Sequence, residues 1–177
     1  MQQYSPKLNQ KKTLMLMKGN NFSVIPYTTH ISPKLVHHNL KSDKLEIFFD
    51  LLVRYIAIKK YNLKFKNISV LCYNPHCGEN RTIGIEDNQL AKVLMKYRNI
   101  FGPIPADSAF NDIKKNSLFI SIYHDQGLIP FKALNSLGIN QTLGLNYRRL
   151  SPAHGTAIDK KFKNISDNSS YIACMRI

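Results

Sequence analysis

Leu118–His124, L-F-I-S-I-Y-H, is the stretch on which the reading of this chain turns. An uncharged, largely apolar run of this length suits a strand buried on both faces. It runs straight into a histidine, and the same pattern occurs twice more. Ser23–Thr29, S-V-I-P-Y-T-T, ends at His30, and Ile68–Pro75, I-S-V-L-C-Y-N-P, ends at His76. Strands are therefore expected over Phe22–Thr29, Ile68–Tyr73 and Leu118–Tyr123. Helical patterns separate them, so the three strands should lie parallel in one sheet of an α/β fold. Their histidines would then gather at the carboxyl edge, where α/β sheets place ligands. Three imidazoles converging there suit a facial metal site with open positions for a substrate. Taken singly, each histidine reads as an ordinary loop residue; the repetition points to a metal.

The intervening segments support this layout. Ser42 can cap a helix whose apolar positions Leu45, Phe48, Phe49, Leu52 and Ile56 follow the helical spacing, with Lys59 and Lys60 at its end. Leu90, Val93, Leu94 and Tyr97 mark a second helix. G-P-I-P-A-D from Gly102 reads as a turn, because two prolines disfavour regular structure. A short helix or loop through Leu128–Leu137 leads to an apolar segment at Ile139–Leu145. Residues 1–20 read as a ragged N-terminal segment and 21–177 as the folded unit.

The chain has 177 residues, 44% of them apolar, which is enough for one domain with a real core. No apolar run of the length of a membrane span occurs, so no membrane partner is expected. The first residues lack the apolar centre of a signal peptide. Cys72, Cys77 and Cys174 form no C-x-x-C pair, which suits a reducing cytoplasm. Lysine and arginine number 25 against 11 acids, a net charge of +14. The lysines are dispersed, and no aromatic-basic strand motif or recognition helix is present, so nucleic acid is not an expected partner. A phosphorylated small molecule would be drawn by the same field. No G-x-G-x-x-G or Walker loop occurs.

Two loops carry the chemistry. N-P-H-C-G-E, Asn74–Glu79, joins a turn-forming Asn-Pro to His76 and a carboxylate, and Gly78 would admit close backbone approach to a ligand. Y-H-D-Q-G, Tyr123–Gly127, has the same character. Asp125 either orients an imidazole or caps the following helix. His37 and His38 read as surface residues and Cys72 as core. Cys77 has no partner cysteine at zinc-site spacing. Lys132, Asn140 and Arg149 follow the third strand; by spacing alone they read as solvated surface, although such groups can hold a phosphate.

Taken in order, T-T-H-I (28–31), N-P-H-C-G-E, G-P-I-P-A-D-S (102–108), Y-H-D-Q-G-L-I-P-F-K (123–132), N-Q-T-L-G-L (140–145) and S-P-A-H-G-T-A (151–157) resemble the 4-hydroxythreonine-4-phosphate dehydrogenase family of vitamin B6 biosynthesis. The resemblance runs over nearly the whole chain but only the C-terminal half of the family's proteins. The fold it implies is a three-layer α/β/α sheet like that of isocitrate and isopropylmalate dehydrogenases, with the N-terminal half and its His-Thr substrate contact missing. It implies that His30, His76 and His124 bind a divalent metal (zinc, magnesium or cobalt) across a homodimer interface. Lys132, Asn140 and Arg149 would contact the phosphorylated substrate, with Lys132 and Asp125 in catalytic roles. By similarity to the isocitrate dehydrogenases, His154, Gly155, Thr156 and Asp159 would lie near the adenosine end of NAD or NADP. Ala153 stands where the family usually has Asp, and Asp159 is followed by K-K-F-K rather than I-A-G-K. The implied reaction is oxidation and decarboxylation of 4-phosphooxy-L-threonine to 3-amino-2-oxopropyl phosphate. Two alternatives remain: a sibling dehydrogenase acting on another phosphorylated four-carbon hydroxy acid, or an inactive remnant. The chain alone is expected not to turn over substrate.

Overall fold

The protein is described by a computed structural model covering residues 13–153 and 167–176. Its centre is a seven-stranded mixed sheet. The strands are β1 (Leu14–Gly19), β2 (Ser23–Pro26), β3 (Asn67–Leu71), β4 (Phe101–Ile104), β5 (Ser117–Ser121), β6 (Gly138–Leu143) and β7 (Arg149–Pro152), in the order β4-β3-β5-β2-β1-β6-β7. β2, β5, β3 and β4 run parallel, as their apolar runs and intervening helices lead one to expect. All five residues of β5 are buried, because it lies between β2 and β3 with both faces covered.

Helices cover the two faces. The helix α2 (Ser42–Ala57) turns Leu45, Phe48, Phe49, Leu52 and Tyr55 inward, and α3 (Glu86–Leu94) adds Leu90, Val93 and Leu94. They close one core over Leu16, Ile25, Val70 and Ile120. On the other face α4 (His124–Leu134) brings Leu128 and Phe131 against Met17, Phe22, Leu71 and Phe119. Phe22 meets Phe119 and Phe131 edge-on, with centroids 5.5 and 6.0 Å apart. Each such buried ring contributes roughly 1.5–3 kcal/mol. The packing of α4 on the sheet depends on Gly127: a Cβ there would lie 2.5 Å from Ser121 Oγ and 2.6 Å from Val24 Cγ1. Two further short α-helices are α1 (Pro33–Val36) and α5 (Ser169–Met175). No helix among the described residues is long and apolar enough to cross a membrane.

Four readings change. Residues 1–20 were expected to be ragged, yet Leu14–Gly19 is a strand paired on both sides, with β2 and with β6. Its alternation of buried and half-buried residues is short and abuts a polar leader, which hides it in the sequence. The turn expected from Gly102 begins as β4; Pro103 is tolerated there because β4 is an edge strand, with a neighbour on one side alone. The helix after the third strand starts at His124 itself and contains Pro130. The segment at Ile139–Leu145 becomes β6, antiparallel to β1 and β7, a mixed part of the sheet that the apolar pattern does not reveal.

Candidate active site at the carboxyl edge

β3, β5 and β2 are adjacent, so His76, His124 and His30 follow three neighbouring parallel strands at the same sheet edge. Beyond β2 the ladder continues: Tyr27 N–H donates to Ser121 O at 2.7 Å, and Thr28 gives both N–H and hydroxyl to Ile122 O, at 3.2 and 2.7 Å. This extension carries His30 alongside His124, with ring centroids 5.5 Å apart and planes tilted by 46°. Both rings line a cavity of about 200 Å³ together with Thr28, Thr29, Tyr123 and Asp125. Asp125 Oδ1 lies 2.7 Å from His124 Nδ1, and no side chain caps the start of α4. A carboxylate on Nδ1 orients the ring and leaves Nε2 as the nitrogen open to a ligand.

His76 is set differently. From His76 to Arg81 the backbone is left-handed, with φ between 44° and 83°. A run of this kind costs energy at every non-glycine position. Gly78 meets the tightest point of the turn, where a Cβ would sit 2.6 Å from Gly84 O, so its close approach is to protein backbone. The turn leaves the imidazole exposed, with Nδ1 2.9 Å from Glu79 Oε1 and Nε2 3.6 Å from Asp107 Oδ2. The hydrogen bond to Glu79 and then the charge of Asp107 raise the pKa of His76 above the ordinary imidazole value. Asp107 follows β4, on the side of β3 away from β5. The structure thus brings His30 and His124 together and directs His76 toward its own two carboxylates. Among the described residues no group of three His, Cys, Asp or Glu is arranged around a common metal position. The paired rings fit two ligands of a divalent cation, so a site completed within this fold needs a further donor.

Two residues not singled out in the sequence hold the edge together. Asp87, in the first turn of α3, is buried; it accepts from Tyr73 N–H at 2.6 Å, Asn74 N–H at 2.9 Å and the Asn74 amide at 3.0 Å. It fixes the exit of β3, and the same amide donates to Glu86 Oε2 at 2.9 Å, the main cause of the lowered Glu86 pKa. Gln126 accepts from Ile122 N–H at 2.8 Å and donates to Cys72 O at 2.7 Å, bridging the exits of β5 and β3. The sequence signal for Gln126 is its place in Y-H-D-Q-G; Asp87, separated from its partners by a loop, has none.

The phosphate-side residues lie farther away. Lys132 is exposed on α4, eight residues and thus about 12 Å along the axis from His124. Arg149, exposed, donates to Thr142 Oγ1 at 3.1 Å across the β6–β7 pair. Asn140 sits on β6 between Met17 and Ser151, and its buried Oδ1 has no partner among the described residues. None of the three lines the cavity of His30 and His124. His154, Gly155, Thr156 and Asp159 lie outside the described residues.

A sheet covered by helices on both faces, with a polar, histidine-bearing carboxyl edge, defines a three-layer α/β protein. Over residues 2–177 the chain matches the family described as pyridoxal phosphate biosynthetic protein PdxA, and it belongs to that family. It is 39% identical over 166 residues to a 4-hydroxythreonine-4-phosphate dehydrogenase of a Hydrogenobaculum species, spanning 92% of this chain and 53% of the relative. With the enzyme of the same name from Aquifex aeolicus the identity is 36% over 174 residues, 94% of this chain and 53% of the relative. The solved 4-hydroxythreonine-4-phosphate dehydrogenase of Klebsiella pneumoniae superposes with a TM-score of 0.74 at 29% identity, over 93% of this chain and 54% of that one. A terephthalate 1,2-cis-dihydrodiol dehydrogenase from Burkholderia xenovorans shares the fold, with a TM-score of 0.70 at 21% identity over 94% of this chain and 55% of that one. The chain spans about half the length of the curated relatives it matches.

Proposed function

We propose that this chain provides the metal- and phosphate-binding half of a 4-hydroxythreonine-4-phosphate dehydrogenase, acting in the cytoplasm on 4-phosphooxy-L-threonine. The observation that carries the reading is the His30–His124 pair at the carboxyl edge, with Asp125 on the Nδ1 of His124. When bound, a divalent cation (zinc, magnesium or cobalt) supplies Lewis acidity at the substrate hydroxyl, and NAD or NADP accepts the hydride. His30 and His124 would hold the cation through ring nitrogens, and Asp125 orients the ring of His124 through its Nδ1. Arg149 and Lys132 pair with the phosphate, with Asn140 as the third substrate contact. Loss of hydride and the hydroxyl proton leaves a β-keto acid; CO₂ departs and a proton returns to carbon, giving 3-amino-2-oxopropyl phosphate. Lys132 is the chain's candidate for that proton transfer. His154, Gly155, Thr156 and Asp159 are proposed for the nucleotide.

His76 enters this scheme as a donor to a second copy of the chain. Its exposure and its position beside β4, away from the His30–His124 pair, support a site shared across a homodimer. The test is NADH formation from 4-phosphooxy-L-threonine with NAD and zinc, with this chain alone and mixed with the complementary half of the Aquifex aeolicus relative. Turnover in the mixture, lost on His124→Ala, is the expected result. No turnover in either arm contradicts the activity and favours an inactive remnant, for which the separation of Lys132 and Arg149 from the histidine cavity speaks.

A further inference from the structure

At the opposite edge of the sheet, where β2 and β5 begin, two cavities share a wall. One, of about 250 Å³, is lined by Lys18, Lys64, Lys115 and Asn116, with Phe22 and Phe65 also in its wall. The other, of about 510 Å³, is lined by Leu137, Ile139, Ile172 and Arg176. Lys18, Gly19 and Asn20 belong to both, so the two lobes form one cleft. Among the described residues no Asp or Glu lines either lobe. Among the described residues Lys18, Lys64 and Lys115 have no ion-pair partner, whereas Lys96 at the far side of α3 has Glu46. Asn62 and Asn116, both left-handed with φ of 48° and 63°, bend the loops before β3 and β5 so that their amides join the same wall.

Cations lining one concavity without an acid repel one another, and concave walls focus their field on whatever anion enters. The lysine lobe has the ammonium and amide donors for a phosphate, and it holds about one such group. The second lobe is walled by leucine and isoleucine and suits an apolar body. We propose that this cleft binds a phosphate monoester carrying an apolar body, with the phosphate at Lys18, Lys64 and Lys115 and the body against Ile139 and Ile172. The site is separate from the histidine edge and from the phosphate contacts proposed for Lys132 and Arg149. It gives part of the large positive charge a specific partner. A nucleic-acid backbone would need a row of cations along a groove; here three lysines line one lobe of about 250 Å³.

Phenyl phosphate is the probe, titrated calorimetrically into the full chain and mapped by amide chemical shifts. Binding that perturbs Asn20, Ser117 and Ile139 is expected, about tenfold tighter than inorganic phosphate. Lys64→Ala with Lys115→Ala should weaken it at least about tenfold, while Lys96→Ala, at the far side of α3, leaves it unchanged. Urea unfolding of the double variant confirms that it folds. Shifts confined to Thr28 and Tyr123, affinity insensitive to the two lysines, equal affinity for inorganic phosphate, tighter binding of a single-stranded oligonucleotide, or no binding would each overturn the proposal.

Discussion

His124 and His76 both follow a buried parallel strand directly, yet their surroundings differ. After β5 the backbone pairs with the tail of β2 and sets His124 beside His30, with a single carboxylate on its Nδ1. After β3 the backbone turns left-handed for six residues, 76–81, and the imidazole meets carboxylates at both nitrogens. One sequence signature thus yields a pair of facing imidazoles in one place and a ring with a raised pKa in the other. The neighbours decide: β5 has β2 on one side, with a histidine of its own, while β3 has β4 and Asp107.

The largest effect should come from removing what holds the second arrangement. Asp87→Ala strips the acceptor from two backbone N–H groups and an amide at a buried position, and should cost about 3 kcal/mol in urea unfolding. A loss under about 1 kcal/mol would mean that the exit of β3 is held by other contacts. Gln126→Ala removes the bridge between the two exits and should cost about 1–2 kcal/mol, with faster hydrogen exchange at Ile122. Unchanged exchange there would separate the two regions more completely than the structure does.

A smaller effect distinguishes the two carboxylates on His76. Both raise its pKa, Glu79 more than Asp107, so Glu79→Gln should lower it further than Asp107→Asn in an NMR titration. The sign follows from linkage: a histidine whose folded pKa is raised contributes stability at low pH that is lost as pH rises through the folded pKa. The reverse order of the two variants would place Asp107 as the principal partner.

The α/β class, the parallel core strands and the helices at Ser42 and Leu90 follow from periodicity, because their burial is one-sided or complete. The antiparallel strands are harder. Leu14–Gly19 and Gly138–Leu143 owe their place to each other, a pairing between residues more than a hundred apart that no local window contains. The site divides the same way. Strand-end histidines are visible as a pattern, and their common edge follows from strand order. The left-handed turn at 76–81, the Asp87 anchor and the Asp107 contact depend on loop geometry and long-range partners, and so lie outside what spacing conveys. Asp125 is intermediate: its residue type left two roles open, and its 2.7 Å contact with His124 is the orienting one.

The central claim is that His30 and His124 of one copy share a metal with His76 of another. It is tested by mixing two defective chains, His76→Ala and His124→Ala, and measuring bound zinc by equilibrium dialysis. In a shared site, each homodimer lacks a ligand at both positions, whereas the mixed dimer rebuilds one complete site from the intact pair of one chain and His76 of the other. The account predicts little zinc on either variant alone and recovery toward half the wild-type capacity in mixed dimers. Wild-type binding with no recovery on mixing would contradict it, placing all three histidines in one chain's own site.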